Sequence, residues 1–205
     1  MRGLLREAGA GVTVTTDRGH YHADRLIVSA GAWISQFIPQ LREKAVPERQ
    51  ALGWFQPLRP EWFTPHAFPV FNIAVEEGRY YGFPVFGIPG FKFGRYHHLR
   101  GTFDPDDPSR ECDARDEQIL RQFGERYFPD GCGPVLSMHA CIFTNTPDEH
   151  FIIDVLPDYP QVVVASPCSG HGFKFASVVG EILADLAEKG DTRHDISLLS
   201  LGRFG

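Results

Sequence analysis

Gln161-Val162-Val163-Val164-Ala165 runs through Ser166-Pro167-Cys168 into Ser169-Gly170-His171-Gly172-Phe173-Lys174. The β-branched run is a strand and the glycine pair a tight turn. From about Lys174 to Lys189 the apolar residues Val178, Val179, Ile182, Leu183, Leu186 and Ala187 fall on one face at helical spacing, and Gly190 supplies the C-terminal stop. A strand, a glycine turn and a helix start aim backbone N–H groups and the positive end of the helix dipole at an anionic or electron-rich ligand edge. Spacing alone leaves a plainer alternative open, in which Gly170 and Gly172 only permit the turn and His171 caps the helix. Lys174 opposes the dipole in that first turn and so asks for another reason to be there.

A second run of the same kind lies near the N-terminus. Arg25-Leu26-Ile27-Val28-Ser29 reads as a strand buried on both faces, and Ala30-Gly31-Ala32-Trp33 turns from it into a helix over Ile34 to Leu41. Such strands belong to parallel sheets built from βαβ units, and the sheet implied here is incomplete in this chain. Before it, Gly3 to Ala8 reads as a short helix end broken by Gly9-Ala10-Gly11. Val12 to Thr16 and His20 to Ala23 then read as a hairpin around Asp17-Arg18-Gly19.

Between these segments the character changes. Val46 to about Arg100 alternates aromatic and polar residues with many prolines, the composition of an antiparallel sheet with one face buried or lining a pocket. Ile119, Leu120, Phe123 and Tyr127 place one apolar face on a helix over Asp116 to Tyr127, and strands return at Val135 to Thr144 and Phe151 to Asp154. The fold class expected is therefore α+β.

The 205 residues, 42% of them hydrophobic, suffice for one sizeable core or two small ones. A net charge of −6 disfavours nucleic acid and anionic membranes as partners. No apolar run is long enough to span a bilayer and no secretory signal is read at the start. Cys112, Cys132, Cys141 and Cys168 lack C-x-x-C spacing, which points to a reducing, cytoplasmic setting.

Three positions carry the remaining chemistry. Cys141 lies in a strand and by type alone is a small buried hydrophobe. Lys92, between Phe91 and Phe93, is either an edge-strand lysine on a solvated face or, if the phenylalanines face outward, an interior ammonium that needs a task. His97 and His98 are adjacent in the chain and would face opposite ways in a strand, so no zinc site is expected.

Taken together, Ala140 to Asp154 (ACIFTNTPDEHFIID), Ser169 to Phe175 (SGHGFKF), Tyr80-Tyr81-Gly82-Phe83-Pro84 with Lys92, and Ala23 to Trp33 strongly resemble the monomeric sarcosine oxidase and N-methyltryptophan oxidase family. These are FAD-dependent amine oxidases of the D-amino-acid-oxidase-like group. The resemblance implies that Cys141 tethers FAD by a thioether formed from its thiolate, and that Lys92 promotes the reaction of reduced flavin with O₂. It places Gly170, His171, Gly172 and Lys174 beside the flavin ring and the substrate carboxylate, Tyr81 in the pocket wall, and Ala30, Gly31 and Trp33 near the cofactor's pyrophosphate.

Departures accompany it. Phe143 stands where sarcosine oxidase has Tyr, and four residues beyond Lys92 this chain has Tyr96 followed by His97, where the family has His. The family's opening G-x-G-x-x-G unit has no counterpart. The resemblance therefore implies the C-terminal part of an oxidase, with residues 1–45 and 150–205 a remnant of the FAD-binding α/β domain and 46–149 an antiparallel substrate-binding domain.

The expected function is oxidative demethylation of an N-methyl or other secondary amino acid, with O₂ as acceptor and H₂O₂ as product. The chain alone is expected to be inactive, with FAD weakly held or absent. The alternative is a non-catalytic interaction module that pairs through its open sheet edge, as a dimer or with a separate N-terminal half.

Overall fold

The computed structural model describes residues 5–8, 11–107 and 111–205. In chain order the strands are β1 (Leu5–Ala8), β2 (Gly11–Thr16), β3 (Gly19–Ala23), β4 (Leu26–Val28), β5 (Val46–Phe55), β6 (Phe71–Val75), β7 (Gly78–Phe83), β8 (Phe91–Arg95), β9 (Val135–Asn145), β10 (Ile152–Leu156) and β11 (Tyr159–Ser166). The helices are α1 (Ile34–Phe37), α2 (Ala114–Tyr127) and α3 (Ala176–Lys189). Contacts divide the chain into two units, Met1–Pro47 with Phe143–Gly205, and Glu48–Ile142.

In the first unit β10, β11 and β4 form one sheet, with β4 running parallel to β11 in the register Val162↔Leu26 to Val164↔Val28. The strand read in Val162 to Ala165 is β11. Val162 and Val164 pack with Ile34, Ile38, Leu41 and Ile152 on one face, while Val163 and Ala165 pack with Ile153 and the α3 residues Val179, Ile182 and Leu183 on the other. Two apolar faces on one strand need a layer on each side, and β11 has both.

β4 does not. It is an edge strand, and Ile27 is 40% exposed, so the expectation of burial on both faces is corrected. The helix expected over Ile34 to Leu41 is also interrupted. Ile38 is extended (φ −118°, ψ 94°) because Pro39 follows it, and a separate 3-10 turn covers Pro39–Leu41.

β1, β2 and β3 form an antiparallel sheet. The β2–β3 hairpin matches the sequence expectation, but Leu5–Ala8 is a strand and not a helix end. A stretch this short cannot offset the cost of helix nucleation, whereas pairing with β2 satisfies its backbone at once. Gly3, Leu4, Gly9 and Ala10 lie outside the described residues.

The second unit is built on a sheet of order β6-β7-β8-β5-β9. One face carries Phe55, Tyr80, Phe91 and Phe93, packed with Leu120 and Phe123 of α2. The Tyr80 and Phe123 rings stack with centroids 3.8 Å apart, and those of Phe55 and Phe93 at 4.7 Å. The α2 start is fixed by a capping box: the Asp113 side chain accepts from the Arg115 and Asp116 N–H groups, and Asp116 accepts from the Asp113 N–H.

Candidate functional site

Because successive strand residues face opposite ways, burial of Phe91 and Phe93 against α2 sends Lys92 to the other side of the sheet. β8 is flanked by β7 and β5, so Lys92 is not on an edge strand. Its register partners are Trp54 and Phe83, and its ammonium sits 4.7 Å from the Trp54 ring centroid and 5.3 Å from that of Phe83. No carboxylate pairs with it among the described residues. Beside it opens a groove of about 200 Å³, walled by Trp54, Phe83, Pro84, Phe86 and Ile88.

Cys141 of β9 is half-buried and stands two residues from His139, whose ring meets Trp54 edge-on at 5.3 Å. Burial pushes the Cys141 thiol up to about 11, against the downward pull of the Lys92 charge. Burial thus opposes ionisation of this sulfur, and the Lys92 charge favours it.

Tyr81 shares this face. Burial first, and then the neighbouring Cys141 and Tyr96, hold its phenol well above the usual tyrosine range. Its ring meets Tyr96 at 4.9 Å, and a Cβ at Gly94 would stand 3.0 Å from its hydroxyl oxygen, so a glycine there leaves room for it. The Tyr96 N–H donates to the Arg79 carbonyl at 2.8 Å, which keeps Tyr96 beside Tyr81. His97 then enters the left-handed region (φ 53°) and brings Nδ1 to 3.2 Å from a Glu48 carboxylate oxygen. The residue beside Tyr81 is thus Tyr96, not His97.

In the other unit, β4 and β11 are parallel and their C-terminal ends carry two glycine turns. Gly31 has φ 55°, with Trp33 partly exposed in the 3-10 turn that follows. After β11, Ser169 (φ 47°) and Gly170 (φ 74°) both adopt left-handed backbone. Ser169 is anchored by its N–H to the Thr144 carbonyl at 2.9 Å and by its hydroxyl to Thr146. A Cβ at Gly172 would overlap the Pro167 carbonyl oxygen, and one at Gly170 the Phe143 ring.

His171 does not cap the helix. Its Nδ1 lies 2.8 Å from the Ser169 carbonyl, to which it donates, and its ring stacks on Phe151 at 4.7 Å. The helix expected from about Lys174 begins at Ala176, after a 3-10 turn over Phe173–Phe175, and no side chain caps its N-terminus. Lys174 is exposed in that turn, its ammonium 5.3 Å from the Phe175 ring centroid. Edges of this kind, at the C-terminal ends of parallel strands, are where α/β sheets receive ligands.

Lys92, Tyr81 and Cys141 therefore belong to one unit, and Gly31, Trp33, Gly170, His171, Gly172 and Lys174 to the other. Trp54 and His139 were not distinguished in the sequence. Their place beside Lys92 and Cys141 follows from register, and the only available signal was that Trp54 is an aromatic in an alternating strand. No helix of the described residues is long and apolar enough to cross a membrane.

The family model for DAO, FAD dependent oxidoreductase, matches residues 1–186. The chain belongs to this family. Among curated members of the FAD-dependent oxidoreductases, it is 46% identical over 196 residues to monomeric sarcosine oxidase of Bacillus sp. (strain NS-129), covering 94% of this chain and 50% of that protein. It is 35% identical over 202 residues to N-methyl-L-tryptophan oxidase of Citrobacter koseri, covering 98% and 53%. The chain spans about half the length of the curated relatives it matches. The fold is shared with fructosamine oxidase (Amadoriase II) of Aspergillus fumigatus, with TM-score 0.75 at 21% identity over 96% of this chain and 49% of that one. It is shared also with the amino acid oxidase NikD, with TM-score 0.70 at 23% identity over 96% and 52%.

Proposed function

We propose that this chain carries the flavin-facing and substrate-facing residues of an FAD-dependent oxidase that demethylates an N-methyl or other secondary amino acid and returns H₂O₂. The observation that carries this reading is the sheet face on which Lys92, without a carboxylate partner, stands with Tyr81, Trp54 and the half-buried Cys141. The donor set suits FAD: an unneutralised ammonium and a reachable sulfur in one unit, and in the other a glycine turn leading to an uncapped helix N-terminus. In this reading Glu48–Ile142 is the substrate-binding domain and the other unit part of the FAD-binding domain.

FAD, when bound, accepts two electrons from the amine and passes them to dioxygen. The chain's own residues do the rest. Cys141 would hold the cofactor, its sulfur being the atom that could bond to it. Lys92 presents a fixed positive charge where negative charge develops on dioxygen. Tyr81, neutral at all working pH values, walls the pocket and offers one hydroxyl donor. Lys174 and His171 receive the substrate carboxylate. Gly31 and Trp33 would help to hold the cofactor on its pyrophosphate side, and Gly170 and Gly172 would let backbone approach it.

The test is to incubate the full chain with FAD, precipitate it in acid and measure yellow colour retained in the pellet. Retention that is lost in Cys141→Ser supports the tether, and a colourless pellet from both removes it. A second reading, pairing of another chain along β4, is favoured by the edge position of that strand and the exposure of Ile27. A concentration-independent monomer by sedimentation would exclude a dimer formed in this way.

A further inference from the structure

We propose that the cavity between β7, β8 and α2 is a second binding site, for a small monocarboxylate with a short apolar tail. Tyr80 and Arg95 are register partners across β7 and β8 on the face that α2 covers, whereas their chain neighbours Tyr81 and Tyr96 stand on the Lys92 face. The sheet itself therefore separates this cavity from the site described above. The cavity measures about 340 Å³, and its lining includes Tyr80, Arg95, Ile119, Gln122 and Phe123, with Glu77 and Arg126. That is roughly ten times the ~30 Å³ share of one water in liquid, and enough for a ligand the size of a small organic acid.

The buried unmet polar atom in its wall is a donor. Arg95 gives Nη2 to the Glu77 carbonyl oxygen at 2.6 Å and stacks 6.0 Å from the Tyr80 centroid, and its Nε is buried with no acceptor. No carboxylate pairs with Arg95 among the described residues. Tyr80 is 2% exposed, and its hydroxyl has no hydrogen-bond partner among them. The one carboxylate at the rim, Glu77, is already held by Arg126 and by the Tyr127 hydroxyl at 3.0 Å.

A half-buried guanidinium whose Nε–H is buried without an acceptor, beside a phenol hydroxyl with no protein partner, favours an acceptor-only anion, since an unmet buried donor costs free energy that such a ligand recovers. Arg95 presents a planar fork suited to a carboxylate. The nearby Glu77 charge disfavours a dianion. Ile119 and the Phe123 edge receive the alkyl tail.

The experiment is a titration of the ¹⁵N-labelled chain with butyrate, following the Arg95 Nε–H resonance by NMR, with butyramide as the neutral counterpart of equal shape. The expected result is a saturable shift with butyrate and at least tenfold weaker binding of butyramide. Arg95→Gln lowers butyrate affinity at least tenfold. Should that variant fail to fold, Ile119→Trp, on the half-exposed side of α2, fills the cavity and abolishes the saturable shift. Equal response to butyrate and butyramide, no saturation, or undiminished butyrate binding in the Ile119→Trp chain would each overturn the proposal.

Discussion

Lys92 and Trp54 stand directly opposite each other across β8 and β5, with the ammonium 4.7 Å from the indole ring centroid. An aromatic face attracts the cation without neutralising it, so the full charge remains available to whatever else meets that side of the sheet. Cys141 already feels it, since Lys92 is the group that pulls its thiol downward.

Replacing the lysine therefore has a readout that needs no cofactor. In Lys92→Met the Cys141 thiol rises above its value of about 11, and its alkylation by iodoacetamide at pH 9 slows by roughly 3- to 10-fold. Peptide mass spectrometry against pH separates Cys141 from the other thiols. An unchanged rate would mean the charge does not reach the sulfur.

Acid stability depends on a second cluster. Asp116, 1% exposed, receives Arg49 through both carboxylate oxygens (3.0 and 2.6 Å) and His98 Nε2 at 2.7 Å. Burial alone would raise its pKa. Hydrogen bonds from Arg49, the Asp113 N–H and His98 outweigh burial and hold the carboxyl at about 2.

A depressed carboxylate stabilises the fold above its unfolded value of 3.8, and that contribution is lost as pH falls toward 2. His98 is moved downward by burial, and its Nδ1 has no acceptor, so charging it also costs stability as pH drops below 6.5. Both effects run the same way. Stability declines on acidification from about pH 6.5, and Asp116→Asn removes ~2 kcal/mol of the lower part of that dependence, measured by urea unfolding at stepped pH.

Gly172→Ala is expected to destabilise by about 3 kcal/mol or more, because the added carbon overlaps a backbone carbonyl and not a movable side chain. Thermal melting monitored by circular dichroism checks it.

Gly190 ends α3 in the left-handed region at φ 77°, with nothing near its Cα to obstruct a side chain. Gly190→Ala therefore reports backbone strain alone, and an expected cost of about 1 kcal/mol lowers Tm by roughly 2–4 °C.

Much of the fold was legible where a period was strong. The β11 run, the α2 and α3 stripes and the β2–β3 hairpin declare themselves because their apolar spacing matches what they bury. Leu5–Ala8 did not, because only its pairing with β2 decides between strand and helix. Ile27 was misjudged because an apolar run cannot say how fully each of its faces is covered. The direction of Lys92 was undecidable until the core was known to claim Phe91 and Phe93. The Arg49–Asp116–His98 cluster joins residues 67 and 18 positions apart and leaves no local pattern.

In β7 and β8 the neighbours Tyr80 and Tyr81, like Arg95 and Tyr96, are divided between the two sides of the sheet. Such a ribbon tolerates point replacement far better than a change in length. Deleting one residue within β7 would swap a ring from the hydrocarbon interior with one from the Lys92 face, damaging both compartments by a single event. Change along this ribbon is thus confined to exchanging side chains in place, while insertions are restricted to the connecting turns.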